Sequence, residues 1–223
     1  MTTLGEFIPV HRESTASLIA RQLREAIMNG RIPTGSQLSE AALSAQFGVS
    51  RGPLREAMQR LVQEGLLRSE PNRGLFVKEL DEADIQDIYA SRTAIEGAAA
   101  IIVLRSNDQE SFQRLRLACQ AMTDAAASGD LTTLSDADFR FHEVIVECAR
   151  SPRLLRMHQT LIVETRMCLT ALQGTYQDPD DQVKEHIRIA DAIIAADEAE
   201  TLRSVDDHMH EAIKRLTRSA NPA

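Results

Sequence analysis

Two groups of side chains in this sequence have the types and spacing to do chemistry. The first is Asp138-Phe139-Arg140-Phe141-His142, where a carboxylate and an imidazole lie four residues apart. On a helix that spacing puts both on one face, from which two ligands can share a metal ion. His186, preceded by Glu185, and His208 fall in later helical segments whose inner faces can converge on the first. Three imidazoles and one carboxylate suit a divalent transition ion, with Zn²⁺ the first expectation and Ni²⁺ or Mn²⁺ the alternatives. By itself a D-x-x-x-H pair describes a surface pair or a satisfied core histidine equally well, and spacing alone leaves these readings open. An enzyme reading, a metal-dependent hydrolase with Glu143 or Glu185 as base, meets an obstacle. Four protein ligands leave less room for an activated water than the usual three, and no nucleophile or second metal stands out.

The second group is Gly48-Val49-Ser50-Arg51, followed by Pro53-Leu54-Arg55-Glu56-Ala57. Ser50 is placed to cap a helix, and Pro53 falls in its first turn, where a missing N–H costs little. Leu54, Ala57, Met58, Leu61 and Val62 make one apolar face, leaving Arg51, Arg55 and Gln59 on the opposite one. A short helix, a tight turn and a second helix with a basic outer face can enter a DNA major groove, where arginines bind guanine or phosphate bidentately. Solvated arginines on an ordinary amphipathic helix are the alternative for either residue taken singly.

These residues need elements to hold them. Ser14 to Met28 has helical spacing of apolar residues and stops at Asn29-Gly30; Ile32-Pro33-Thr34-Gly35 is a turn; a short helix runs from Ser39 to Gln46. After Gly65, the runs 66–69 and 75–77 read as two strands around Glu70-Pro71-Asn72-Arg73-Gly74, a hairpin or wing. From Asp81 the pattern is helical only, with helices expected at 82–104, 107–128, 131–149, 152–173, 180–196 and 198–218. The fold class is therefore mostly α, a winged helix-turn-helix over 1–78 followed by an all-α antiparallel bundle over 79–223.

Charge follows the same division. Residues 1–78 carry ten Arg plus Lys against seven Glu, a net of +3, while the remainder carries fifteen positive and twenty-six negative charges, a net of −11. A basic first third suits a nucleic-acid partner, and an acidic remainder suits a separate sensing module. Scarce aromatics and the absence of Trp favour helix-on-helix packing. No run approaches the roughly 20 apolar residues of a membrane span, and the first ten residues do not resemble a targeting signal. Cys119, Cys148 and Cys168 are odd in number and lack metal-type spacing, which points to buried free thiols in a reducing cytoplasm.

The strings Ile-Met-Asn-Gly-Arg-Ile-Pro-Thr-Gly-Ser-Gln-Leu-Ser-Glu, Gly-Val-Ser-Arg, Leu-Arg-Glu-Ala, Glu-Gly-Leu-Leu and Asn-Arg-Gly-Leu-Phe-Val, all within 27–77, resemble the GntR family of bacterial transcription regulators. That resemblance implies that Ser50, Arg51, Gly52 and Arg55 face the operator, with Arg73 and Gly74 at the wing tip toward the minor groove. It departs from the family at Gly52, commonly Thr, and at Ala41, where some relatives place a DNA-contacting Arg. Residues 82–218 resemble the FCD ligand-binding domain, in its shorter VanR-like form. The resemblance is carried by Arg92 with Glu96, Asp138 with Phe141-His142, Glu185-His186, Ala192-Ile193, Asp197 and His208. It implies Asp138, His142, His186 and His208 as metal ligands and Arg92 as a pocket-facing arginine. Arg166, mid-helix among apolar neighbours, is a second candidate to clamp the far end of a small carboxylate or sugar-acid effector. His210, two residues past His208, points elsewhere on its helix, and His158 matches no family ligand and reads as ordinary. The implied protein is not an enzyme but an effector-responsive regulator, usually a repressor, acting as a homodimer on palindromic double-stranded DNA.

Overall fold

The computed structural model describes residues 13–171 and 179–220 of the chain. Two compact units meet between Lys78 and Glu79. In the first, helix α1 (Thr15–Met28) is capped by Ser14, whose hydroxyl accepts from the Ser17 N–H. Strand β1 (Gln37–Leu38) precedes helix α2 (Glu40–Phe47), then come helix α3 (Arg51–Gln63) and strands β2 (Leu67–Glu70) and β3 (Gly74–Val77). The two longer strands form the expected hairpin, but β1 adds a third, antiparallel to β3, with Gln37 opposite Phe76. Two residues are too short a run to show alternation, so β1 had no sequence signal.

Helix α1 buries Ile19, Ala20, Leu23 and Ile27 and packs against α3, which buries Leu54, Ala57, Met58 and Leu61. Two polar links fix the pair: Arg24 grips the Glu64 carboxylate with Nε and Nη2 at 2.9 and 2.8 Å, and Arg60 Nη1 donates to Ser17 Oγ at 2.8 Å. Between α2 and α3 the chain reverses at Gly48, whose φ of 65° lies in the left-handed region that disfavours a Cβ. Ser50 stands at the α3 N-cap with extended backbone, but its side chain makes no capping bond.

The second unit is a helical bundle. Its helices are α4 (Glu82–Ser106), α5 (Gln109–Ser128), α6 (Leu131–Cys148), α7 (Pro152–Ala171), α8 (Pro179–Ile194) and α9 (Glu198–Ala220). The expected ends at 172–173, and the break from Gly174, fall partly outside the described residues. Side-chain caps start five of these helices: Asp81 with Asp84 in a reciprocal capping box, Asp108, Asp130, Ser151 and Asp197. Helix α4 is the hub, packing on α6, α7, α8 and α9, while α5 lies against α6 and α8. The core is aliphatic, with Phe112, Phe141 and Met122 its largest members besides Leu and Ile. Cys119, Cys148 and Cys168 are buried and free, and burial pushes the Cys119 thiol up to about 12. No helix among the described residues is long and apolar enough to cross a membrane.

The glycines flanking the α2–α3 turn make opposite predictions. Gly52 has ordinary helical backbone, and a Cβ there would meet no atom within 4 Å. Gly52→Ala is expected to stabilise the N-terminal unit by about 0.5–1 kcal/mol, whereas Gly48→Ala costs about 1–2 kcal/mol. Urea unfolding of the two variants checks both signs.

Candidate functional site

The outer face of α3 carries Arg51, Gly52, Arg55 and Gln59, all exposed. Arg51 has no ion-pair partner among the described residues, whereas Arg55 Nε donates to Glu40 Oε2 at 2.7 Å. The helix therefore shows one unpaired guanidinium at its N-terminus, beside the unused Ser50 hydroxyl, and a second held by an acid from the first turn of α2. At the hairpin, Arg68 and Arg73 both lie over the Phe76 ring, at 5.3 and 5.1 Å from its centroid, and both pair with Glu70. Gln37 donates to the Arg73 carbonyl, so β1 ties down the tip beside Gly74. The acids Glu40 and Glu70 had no distinguishing sequence signal as partners of these arginines.

In the bundle, three helices bring five polar residues to one buried place. Helix α6 supplies Asp138 and His142, α8 supplies Gln182 and His186, and α9 supplies His208; all five are at least nine-tenths buried. The nitrogens of the three imidazoles lie within 4.8 Å of one another, and Asp138 Oδ1 is 2.9 Å from His186 Nε2. Phe141 packs edge-on against the His142 and His186 rings. The four residues expected as a metal set are therefore neighbours in space.

Hydrogen bonding fixes the tautomers. His142 Nδ1 faces Glu96 Oε2 at 2.6 Å, His186 Nδ1 the Gln182 carbonyl at 2.7 Å, and His208 Nδ1 Glu185 Oε2 at 2.8 Å. Carboxylates and carbonyls only accept, so each Nδ1 carries a proton, and the rings that burial keeps neutral, His142 and His208, turn Nε2 lone pairs inward. Yet His142 Nε2 and His186 Nε2 stand 3.2 Å apart, and the Asp138 carboxylate joins them. Burial lowers His142 to about 3, further helped by Arg92 and only partly offset by Glu96. Burial likewise lowers His208, with His186 adding to it. Burial alone would raise the Asp138 carboxyl, but the surrounding imidazoles, His186 foremost, hold it below its ordinary range. A buried cluster of inward lone pairs and an ionised carboxylate, with its outer nitrogens already bonded, matches the donor set and outer shell of a divalent transition ion.

Behind His142 lies a network that the sequence showed only in part. Glu96 accepts from His142 Nδ1, from Arg92 Nε at 2.8 Å and from His158 Nε2 at 3.1 Å, all buried. Burial alone would raise the Glu96 carboxyl, but Arg92 beside it holds it well below its usual value. His158, read from sequence as ordinary, thus reaches the site through Glu96 from α7. Its surrounding leucines and isoleucine gave a core pattern, and no spacing rule separates a core histidine from a supporting one. Helix α4 also turns Arg92 into a cavity of about 40 Å³, lined by Tyr89, Asp138, His142, Gln182 and His208 among others. Arg166 is elsewhere: it pairs with Asp136 at 2.8 Å, lies over the Phe139 ring at 4.0 Å and does not line this cavity. Its apolar neighbours had suggested the interior, but the long side chain follows Phe139 outward. Arg215, not expected from sequence, does line it and grips Glu185 with both terminal nitrogens.

The bases considered for a hydrolase are otherwise engaged. Glu143 pairs with Arg140 on the surface, and Glu185 is bound by His208 and Arg215; burial alone would raise it, but those hydrogen bonds bring it down to about 2.

A three-stranded winged helix-turn-helix joined to an all-helical bundle with a buried His/Asp cluster is the architecture of a DNA-binding regulator. Comparison with known proteins gives the family. Residues 15–77 match the bacterial regulatory proteins of the gntR family and residues 87–211 match the FCD domain, and the chain belongs to this GntR family. It is 32% identical over 187 residues to a probable D-xylose utilization operon transcriptional repressor of Paenarthrobacter nicotinovorans, covering 82% of each chain. It is 31% identical over 199 residues to the gluconate operon transcriptional repressor of Bacillus licheniformis, covering 87% of this chain and 82% of that one. Among solved structures, a GntR transcriptional regulator from Rhodococcus sp. RHA1 superposes with a TM-score of 0.77 at 25% identity, over 92% of this chain and 98% of that one. Escherichia coli McbR/YncC shares the fold, with a TM-score of 0.78 at 21% identity over 94% of this chain and all of that one. The protein is a DNA-binding transcriptional regulator, and its relatives are regulators rather than enzymes.

Removing Glu96 would strand Arg92 as a buried charge. Glu96→Ala is expected to destabilise the metal-free bundle by about 3–5 kcal/mol, read as a lower urea midpoint; an unchanged midpoint would show that the network carries no stability.

Proposed function

We propose that this chain is a ligand-responsive repressor whose C-terminal bundle senses a small carboxylate or sugar acid beside a bound divalent transition ion. The convergence of the buried His142, His186 and His208 rings, with Asp138 against His186, is the observation that carries the reading. Asp138, His142, His186 and His208 would hold the ion, with Zn²⁺ the first choice and Ni²⁺ or Mn²⁺ the alternatives. When bound, such an ion supplies a Lewis-acidic position that attracts an anionic ligand. The chain's own contribution is to orient and to select. Glu96 and Glu185 fix the outer nitrogens of His142 and His208, and Arg92, anchored on Glu96 through Nε, offers its remaining N–H groups to an effector carboxylate.

On the DNA side, Ser50, Arg51, Gly52 and Arg55 would contact the major groove. Arg73 and Gly74 would take the wing to the minor groove. Lacking a side chain at position 52, the helix would make that contact through backbone alone. A homodimer would present two such helices to a palindromic operator about one helical turn apart. Effector binding would change operator affinity by a coupling free energy between the sites. The relatives' names, repressors of D-xylose and gluconate operons, support a repressor of a catabolic operon.

Gel-shift titration of DNA from the chain's own promoter region, with and without a panel of sugar acids and small carboxylates, tests the scheme. The wild type retards the DNA, and at least one acid changes the retardation. Arg51→Ala abolishes binding, while His142→Ala binds DNA but no longer responds to the acid. Arg73→Ala weakens binding uniformly and lowers the salt slope by about 1. A His142→Ala variant with a normal response would exclude the proposed sensing site.

A further inference from the structure

The Glu96 carboxylate joins α4 to two other helices, and the side chain that meets it from α7 is an imidazole with one nitrogen unused. His158 lies on the inward face of α7, in helical register with the buried Ile162 and Thr165, and is itself fully buried. Its Nε2 donates to Glu96 Oε1 at 3.1 Å, while its Nδ1 has no partner among the described residues. The hydrogen bond gained at one nitrogen is set against a buried acceptor left unpaired at the other, so stability gives little reason for an imidazole here.

The direction of Glu96 gives a better one. Arg92 also holds Oε1, but it stands one turn earlier on the same helix, α4, and so moves with Glu96. His158 grips that oxygen from a different helix. With Oε1 held from both sides, the carboxylate cannot turn freely, and Oε2 faces His142 Nδ1 of α6 at 2.6 Å. The His142 ring is thereby set with Nε2 toward the cluster, 3.2 Å from His186 Nε2.

We propose that His158 is a positioning residue for the divalent ion: through Glu96 it aims His142 Nε2 at the metal position. The proposal rests on the ion reading above and adds a residue of α7 outside the four proposed ligands. Its effect falls on affinity for the ion rather than on the fold. Leucine at this position keeps an apolar filling and removes both the donor and the unpaired acceptor. Glutamine keeps a donor, because its amide nitrogen lies as many bonds from the backbone as imidazole Nε2 does.

The full chain, stripped of metal, is titrated with Zn²⁺ against a chromophoric chelator, and its urea midpoint is measured without metal. His158→Leu should lower Zn²⁺ affinity roughly tenfold, the low end of the loss when a partner behind a metal ligand is removed, with the metal-free midpoint unchanged or raised. His158→Gln should recover most of that loss. Wild-type Zn²⁺ affinity in His158→Leu would overturn the proposal. So would a loss that glutamine fails to restore, the mark of a residue that only fills space. A wild type that holds no Zn²⁺ would remove the ion reading itself, an outcome distinct from an ion held without regard to His158.

Discussion

The interaction on which the bundle's site depends is the outward hydrogen bond of each imidazole. Glu96, Glu185 and the Gln182 carbonyl accept from the three Nδ1–H groups, so the three Nε2 atoms are the ones that face the centre of the cluster. Two of them stand 3.2 Å apart beside an ionised carboxylate, an arrangement that repels itself unless a cation sits among the donors. Burial keeps His142 and His208 neutral, so neither of these rings supplies a proton in place of that cation. The outer acids therefore decide what the inner nitrogens can do.

The same acids link the cluster to its surroundings. Glu96 bonds His142 on one side and Arg92 on the other, so a single carboxylate orients both a donor of the cluster and the guanidinium at the cavity. Glu185 does the equivalent for His208 and Arg215. Helix α4 can serve this hub because it packs against four other helices of the unit. Burying so many ionisable groups costs desolvation that a hydrocarbon core would avoid, and the proposed ion and acid site would be a reason to retain them.

Sequence made most of the architecture legible. The 3.6-residue periodicity and the Asp and Ser caps located the helices to within a few residues, since amphipathic faces and capping chemistry are local properties. Asp138 and His142 were visible as a pair for the same reason. That His186 and His208 meet them depends on helix packing, which spacing does not encode, and family likeness supplied the expectation. His158 and Arg215 went unnoticed because their roles arise through Glu96 and Glu185, one contact removed from the cluster. Arg166 was placed wrongly for a related reason: apolar neighbours in sequence say little about where a long guanidinium ends, and here it follows Phe139 to Asp136.

X-ray absorption spectroscopy on protein stripped of metal and then titrated with Zn²⁺ tests the central claim most directly. The account predicts one ion per chain and a first shell dominated by imidazole nitrogen at about 2.0–2.1 Å. A shell without histidine, or no ion retained, would contradict it.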